Sequence, residues 1–178
     1  MSQIEVIDNF LSPEEFKHLQ KTLTAPGFPW FVGEVLYDDE MEQDLKYNFQ
    51  MYHMFYFNPN IISEAMPAIE PLYRKLNVAV FVKAKANLNA ATDNHIEHGM
   101  HVDTHDEDVA KFMTTAIYYV NTNNGYTKFE DGTKVESVAN RVVRFPAMTK
   151  HTGATSTDSK HRFVLNLNYI AKVDNARY

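Results

Sequence analysis

The chain has 178 residues, of which 44% are hydrophobic and 13% aromatic, so it has the composition of a folded domain and not of a disordered chain. A formal net charge of −6 argues against a protein that binds nucleic acid by neutralising phosphates. The absence of cysteine excludes disulfide scaffolds, zinc ribbons, iron–sulfur clusters and thiol nucleophiles. The length predicts one domain, and the feature left to explain is a set of eight histidines, four of them between His95 and His105.

The first residues give no sign of a targeting or membrane segment. Residues 1–5 lack a basic stretch followed by an apolar one, which a secretory signal would need. No apolar run approaches the ~20 residues that span a bilayer. We therefore expect a cytoplasmic protein that does not associate with membranes.

A helix begins near the N-terminus. Ser12-Pro13-Glu14-Glu15 supplies an N-cap serine, a proline at the first helical position and a glutamate that can close a capping box. Phe16, Leu19 and Leu23 then recur at helical spacing, and Pro26-Gly27 ends the element.

Two strands and a second helix are predicted next. Residues 30–37 and 48–57 are rich in aromatic and β-branched side chains, which favours strands, and they are either sheet edge and core or a wall over the site. The apolar stripe over residues 61–76 predicts a helix that Pro67 and Pro71 kink or split.

From residue 78 onward the hydrophobic pattern has a period of two. Val78–Ala90 is one long strand whose polar face carries Lys83, Lys85, Asn87 and Asn89, with a solvated face as the simplest interpretation. Further strands are predicted over 112–120, 126–129, 134–138, 141–145 and 162–170, with a turn at 121–125 and a tight hairpin at 131–132. Helices followed by many short strands predict an α+β, mainly β fold: a β-sandwich or jelly roll buttressed by N-terminal helices.

The clustered histidines contain a metal-ligand pattern. In His101-Val102-Asp103 an imidazole and a carboxylate lie two residues apart, so an extended backbone points both to the same side. His151, 48 residues after Asp103 and in the loop before the last strand, is the best candidate for a third ligand. Two histidines and one carboxylate on one face of a metal are the arrangement of non-haem iron(II) sites.

An arginine on the last strand suggests an anion anchor. Arg162 shares one face of its strand with Val164, Asn166 and Asn168, while Phe163, Leu165, Leu167 and Tyr169 cover the other. Because the apolar face needs a core, the arginine face looks into a lined cavity or out to water. A guanidinium held on a rigid strand suits bidentate pairing with a carboxylate; the alternative is a structural arginine paired with Asp or Glu.

These residues resemble a known family, the iron(II)- and 2-oxoglutarate-dependent dioxygenases, in particular the prolyl-4-hydroxylase-like branch. The resemblance covers about residues 78–169, roughly half the chain. It rests on His101-Val102-Asp103, on residues 116–121 (AIYYVN), 125–132 (GYTKFEDG) and 142–146 (VVRFP), and on His151 and Arg162. It implies a double-stranded β-helix over residues 77–172, supported by residues 1–76, as a single domain 1–178.

The resemblance also implies the chemistry and the residues that perform it. His101, Asp103 and His151 would hold iron(II), Arg162 would pair with the distal carboxylate of 2-oxoglutarate, and Tyr119 would help to bind that carboxylate. The remaining residues expected to contact the cosubstrate are Ile117, Thr127, Asn87 and Asn166. The enzyme would consume O2 and 2-oxoglutarate, with ascorbate as an optional addition, and hydroxylate an unactivated C–H bond with release of succinate and CO2.

Several alternatives stay open at this point. The substrate is a peptide, such as one with a prolyl target, or a free amino acid or small metabolite; a cupin-like metal-binding domain without oxygenase activity is the alternative from another class. Relatives commonly carry a tyrosine on the strand before the His-x-Asp pair, and Lys85, Asn87 or Asn89 would replace it here. We interpret His95, His98 and His105 as loop residues near the mouth of the site, while His105 with Glu107 is the competing metal pair.

Overall fold

The computed structural model of the protein describes residues 4–36, 44–104 and 106–172. In chain order the strands are β1 (Glu5–Ile7), β2 (Phe31–Gly33), β3 (Gln50–Phe57), β4 (Asn60–Ile61), β5 (Val78–Ala90), β6 (Thr114–Tyr119), β7 (Tyr126–Phe129), β8 (Lys134–Glu136), β9 (Arg141–Pro146), β10 (His151–Gly153) and β11 (His161–Ala171). The α-helices are α1 (Pro13–Leu23), α2 (Glu70–Lys75) and α3 (Glu107–Ala110), and 3-10 helices cover Leu45–Tyr47 and Met66–Ile69.

Two antiparallel sheets form the jelly roll. The large sheet has the order β1-β9-β6-β11-β5-β3-β2, with β4 paired to β3, and the small sheet has the order β10-β7-β8. A buried cluster joins the two sheets, since Phe129 and Val135 of the small sheet pack with Ile117, Val143 and Val164 of the large one. The fold is therefore mainly β with few helices, as the sequence predicted. N-terminal strands extend the large sheet at both of its edges.

The larger core lies on the opposite face of the large sheet. Leu19 and Leu23 of α1 and Leu72 of α2 are buried there together with Leu165 and Leu167 of β11. This explains why β11 alternates so strictly: its apolar face meets the helices, and its Arg/Asn face looks toward the small sheet. The predicted division of the two faces of β11 is confirmed.

Helix α1 begins as predicted. The Ser12 side chain accepts a hydrogen bond from the Glu15 backbone N–H at 3.3 Å, and the Glu15 carboxylate accepts one from the Ser12 N–H at 3.1 Å. This capping box satisfies two backbone donors that the first helical turn leaves unpaired. The buried side chains of the helix, Leu19 and Leu23, pack in the core against the large sheet.

The second helix is shorter than predicted. Residues 61–76 were expected to be one helix, but Ile61 ends strand β4, and a 3-10 helix with Pro67 in its first turn leads into the six residues of α2. Pro71 also lies in the first turn of α2, where its missing N–H costs nothing. The two prolines thus split the element, as their positions suggested.

The predicted strand over 30–37 is wrong in its extent, since β2 covers only Phe31–Gly33, and Tyr37 lies outside the described residues. The short helix α3, in the acidic stretch after Asp103, was not predicted from the sequence. Strand β5 has the predicted bounds, and the predicted strands at 112–120, 134–138 and 162–170 shift at their ends by one or two residues. No helix in the described part of the chain is both long enough and apolar enough to cross a bilayer.

Candidate active site

His101 and His151 face each other across two chain segments. Each donates its backbone N–H to the backbone carbonyl of the other at 3.0 Å, and their imidazole rings lie 4.7 Å apart. His151 was expected in a loop, but it begins strand β10, which pairs with β7. This backbone pairing therefore fixes the distance between the two imidazoles.

In both imidazoles the Nδ1 nitrogen is hydrogen-bonded to the backbone. Nδ1 of His101 lies 3.0 Å from the Gly99 carbonyl oxygen, and Nδ1 of His151 lies 3.0 Å from that of Thr149. Because a carbonyl only accepts, each Nδ1 carries the hydrogen, and in the neutral ring Nε2 keeps a lone pair. Metal-binding histidines are commonly oriented in this way.

Asp103 completes the group. Its Oδ2 accepts hydrogen bonds from Thr115 Oγ1 at 2.6 Å and from Asn168 Nδ2 at 2.8 Å, and lies 3.9 Å from His151 Nε2. One ligand atom from each of His101, Asp103 and His151 lies within 4.8 Å of the others. Two imidazole nitrogens and a carboxylate oxygen at these separations fit iron(II).

The charge states of the group suit a cation. Burial would raise the pKa of Asp103, but His151, Lys83 and the Thr115 hydrogen bond outweigh it and hold the pKa at about 2. Burial lowers the pKa of His151, which favours the neutral imidazole that a metal requires. The site therefore presents an anionic oxygen of Asp103 beside the neutral imidazole of His151.

Arg162 lies fully buried in the same cavity. Its Nε donates to Ser137 Oγ and one terminal nitrogen donates to Thr127 Oγ1, both at 3.1 Å. No carboxylate in the described ranges pairs with it, and burial lowers the pKa of Arg162 from its usual value. A buried guanidinium held only by hydroxyl groups is costly unless an anion joins it.

The backbone leaves space for this arginine at two glycines. A Cβ at Gly125 would lie 2.7 Å from Arg162 Cδ and 2.9 Å from the Ala154 carbonyl oxygen, and one at Gly153 would lie 3.3 Å from Arg162 Nη1. A side chain at position 125 or 153 would keep the backbone from approaching the guanidinium so closely.

A cavity of about 610 Å³ connects the three-residue group with Arg162. The predicted site residues that line it are His101, Asp103, His151, Arg162, Ile117, Thr127, Asn87 and Asn166. Tyr119 is the exception. It is fully buried behind Thr127, to whose Oγ1 its hydroxyl donates at 2.8 Å, so the geometry gives it a supporting position in place of the direct contact that the resemblance implied.

Strands β5 and β11 both carry buried amide groups at this cavity. Asn87 Oδ1 and Asn89 Nδ2 of β5 and Asn166 Oδ1 of β11 belong to residues that line it and have no hydrogen-bond partner among the described residues. Oδ1 of Asn168, which lies beside the Asp103 carboxylate, has no such partner either. Lys83 and Lys85 also line the cavity, so their strand face is not the solvated one that we expected. Unpaired amides and ammonium groups fit a polar, anionic ligand better than an apolar one.

Several residues of the site were missed by the sequence analysis. Thr115 of β6 orients Asp103, and Ser137, directly after β8, orients Arg162, yet single hydroxyl residues give no signal of their own in a sequence. Tyr52 of β3 pairs with Asn87 of β5 and lines the cavity. It therefore places a tyrosine beside β5, which contains none itself. Its alternation with Gln50 and Met54, which also line the cavity, was the signal that could have identified it.

Part of the aromatic N-terminal stretch forms a wall of the cavity. Gly33, Glu34, Val35 and Leu36 line it together with Gln50, Tyr52 and Met54. His53 and Phe55 point the other way, into the core under the sheet. Residues 33–36 and alternate residues of β3 therefore form a wall of the site, whereas His53 and Phe55 belong to the core.

The other histidines differ in position. His98 is buried and lines the cavity, and His95 is exposed, with Nδ1 2.7 Å from the Thr155 carbonyl oxygen. His105, of the competing pair with Glu107, lies outside the described residues.

No protein-family model matches the chain, and no curated protein matches it in sequence. Solved structures do resemble it. A Trichoplax adhaerens prolyl hydroxylase, in complex with a peptide fragment of the hypoxia inducible factor oxygen degradation domain, has a TM-score of 0.63 at 12% identity, covering 94% of this chain and 83% of its own.

Two bacterial structures are similar as well. A Pseudomonas putida prolyl-4-hydroxylase has a TM-score of 0.60 at 15% identity, over 97% of this chain and 94% of its own. A Burkholderia pseudomallei oxidoreductase of the 2OG-Fe(II) oxygenase family has a TM-score of 0.63 at 8% identity, over 98% and 89%. The chain therefore has the jelly-roll fold of the prolyl hydroxylases and 2OG-Fe(II) oxygenases.

Proposed function

We propose that the protein is an iron(II)- and 2-oxoglutarate-dependent oxygenase that hydroxylates an unactivated C–H bond. The observation that carries the proposal is the buried Arg162, which pairs with no carboxylate of the described residues and shares one cavity with His101, Asp103 and His151. A cupin-like metal-binding domain has no need for a buried carboxylate anchor at that position. The fold shared with 2OG-Fe(II) oxygenases supports the same assignment.

Each part of the cavity has a role in this proposal. The two Nε2 atoms and the Asp103 carboxylate would hold iron(II) on one face and leave the opposite face open. Arg162, with Thr127 beside it, would bind the distal carboxylate of 2-oxoglutarate. When bound, the metal and cosubstrate supply an oxidant from O2 that converts C–H to C–OH, with release of succinate and CO2. Thr115 and Asn168 keep the Asp103 carboxylate oriented through their hydrogen bonds.

The substrate is a peptide or a small molecule. A peptidyl proline is supported by the Trichoplax adhaerens prolyl hydroxylase, which was solved with a peptide. The wall formed by residues 33–36 gives the cavity a side on which an extended chain could lie. A free amino acid or small metabolite is the alternative.

Anaerobic addition of iron(II) and 2-oxoglutarate tests the proposal. We expect a weak visible charge-transfer band in the wild type, and succinate on exposure to air. His151→Ala should remove the band because the metal loses a ligand, whereas His18→Ala, on the exposed side of α1, should keep it. A wild-type protein that gives neither band nor succinate would rule out the oxygenase.

A further inference from the structure

Two lysines lie on the cavity face of β5 and are neither metal ligands nor part of the Arg162 anchor. Lys83 and Lys85 are half-buried and line the cavity together with Asn87 and Asn89, because alternate residues of a strand share one face. No carboxylate of the described residues lies within 4.0 Å of either ammonium nitrogen. The two amines are therefore available to a ligand.

The register of the sheet puts these lysines at the metal end of the cavity. Arg162 pairs with Asn89 at one end, whereas Lys85 pairs with Asn166 and Lys83 with Asn168. Asn168 is the residue whose amide holds the Asp103 carboxylate. Four residues of strand separate Asn89 from Lys85, which is about 13 Å, so the lysine pair and the Arg162 anchor serve different parts of the cavity.

Among the described residues that line the cavity, the charges leave the lysines unbalanced. Iron(II) with Asp103 carries one net positive charge and Arg162 a second, and the two carboxylates of 2-oxoglutarate neutralise both. Lys83 and Lys85 remain, and Glu34, the other carboxylate among the lining residues, is exposed. Burial and the neighbouring charge of Lys83 lower the pKa of Lys85 to about 8, and the charge of Asp103 offsets only part of that shift.

The cavity has room for a second molecule beside the cosubstrate. Its volume of about 610 Å³ is in the range that accommodates a drug-sized ligand, and 2-oxoglutarate has only five carbons. Tyr52 and Met54 of β3 border the lysines, since Met54 pairs with Lys85 and Tyr52 with Asn87. The lysines thus belong to a pocket with both apolar and cationic walls.

We propose that the substrate carries an acidic group, a carboxylate or a phosphate, that Lys83 and Lys85 bind while a neighbouring C–H bond faces the metal. This inference rests on the proposed oxygenase function and adds to it the chemical class of the substrate. The same acidic group can be part of a free metabolite or of a side chain in a peptide, and the experiment distinguishes these sources.

The test compares matched acidic and neutral probes. The protein is loaded anaerobically with iron(II) and 2-oxoglutarate and titrated by calorimetry with L-aspartate and L-asparagine, L-glutamate and L-glutamine, and O-phospho-L-serine and L-serine. Each residue is offered free and at the centre of a capped Ala-X-Ala peptide. We expect at least one acidic probe to bind tenfold or more tightly than its neutral partner, and the free and peptide series identify the source.

Variants assign the preference to the lysines. Lys83→Met/Lys85→Met should reduce the acid–neutral ratio of Kd values below threefold, while Lys17→Met, the same change on the exposed side of α1, should keep it. A wild type without acid preference, including one that binds no probe, overturns the inference. A double variant that keeps the acid preference overturns the inference as well. If that variant also binds 2-oxoglutarate tenfold more weakly, the lysines serve the cosubstrate.

Failure of the inference and failure of the proposed function give different results. An oxygenase that forms the charge-transfer band and succinate but shows no acid preference contradicts the inference alone. Absence of both the band and succinate contradicts the proposed function, while calorimetry still decides whether Lys83 and Lys85 bind anions.

Discussion

The most informative single residue is the arginine at the start of β11. Its guanidinium has no carboxylate partner in the described part of the chain and is stabilised by two hydroxyl groups, from Ser137 and Thr127, and by the Tyr119 ring 5.7 Å away. Neutral hydroxyls compensate only partly for lost hydration of a charge. The residue is therefore suited to bind an anion and is poorly explained as part of the core.

Replacement of Arg162 should separate cosubstrate binding from metal binding. For Arg162→Ala we expect about a hundredfold weaker binding of 2-oxoglutarate, because a buried carboxylate would lose a charge-assisted partner worth roughly 2–3 kcal/mol. Binding of iron(II) should stay within about threefold, since Arg162 contacts none of its ligands. Titration of the charge-transfer band and metal calorimetry measure the two affinities.

Arg74→Ala, an exposed arginine of α2, is the matched control and should change neither. An unchanged 2-oxoglutarate affinity in Arg162→Ala would show that the anchor lies elsewhere.

At the scale of elements, the ends of β7 and β10 determine where the guanidinium lies. Gly125 precedes β7 and Gly153 ends β10, and both backbones pass close to Arg162. A Cβ at 125 would meet a backbone carbonyl oxygen as well as the arginine, whereas one at 153 would meet the terminal guanidinium atoms alone. The first contact has little room to relax and the second has more.

Alanine substitutions at the two glycines should therefore differ in severity. Gly125→Ala should lower the free energy of unfolding by about 1–3 kcal/mol, as overpacking usually does, and weaken 2-oxoglutarate binding at least tenfold. Gly153→Ala should have a smaller effect on both quantities. Urea denaturation and cosubstrate titration of the two variants provide the measurement, and equal effects would contradict this account of the strand ends.

The elements also differ in how well the sequence predicted them. Strands β5 and β11 and helix α1 were recognised because each has one apolar face and a long run or a capping box that marks it. Strand β10 was missed because three residues, His151–Gly153, are too few to display a period. In residues 61–76 the prolines indicated a split, but the apolar stripe did not reveal that the first residue belongs to strand β4 or that only six residues form an α-helix.

At the scale of the whole molecule, a buried histidine couples stability to pH. His53 is enclosed under the large sheet, where its Nδ1 donates to the Pro29 carbonyl and its Nε2 accepts from the Ser63 hydroxyl. Burial lowers the pKa of His53, although the Pro29 hydrogen bond opposes the shift. Below about pH 6.5 the unfolded chain then binds more protons than the folded one.

The metal-free protein should therefore lose stability as the pH falls. The contribution of His53 is present above pH 6.5 and is lost toward its lower folded pKa, at no more than about 1.4 kcal/mol per pH unit. Urea denaturation at pH 7.5 and 5.5, with a chelator present, measures the difference. It should shrink in His53→Gln and persist in His18→Gln; equal differences in both variants would exclude His53 as the source.

The sequence by itself determined the local features of this protein. Spacing on extended backbone put His101 and Asp103 on one side, the alternation of β11 gave Arg162 a polar face, and the capping box at Ser12 began α1. Such features depend on residues close in the chain, whose relative positions follow from backbone geometry alone. The ordered motifs also predicted the jelly roll and the chemistry it suggests.

Only the tertiary structure decided what lies between these features. The register between residues far apart in the chain placed His151 opposite His101, set Ser137 and Thr127 against Arg162, and turned Lys83 and Lys85 into the cavity. The alternation in a sequence shows which face of a strand is polar but not what that face contacts, because strand pairing is set by the packing of the whole sheet. The sequence had already named His101 and His151 as ligand candidates, and one cross-strand bridge brings the two residues together.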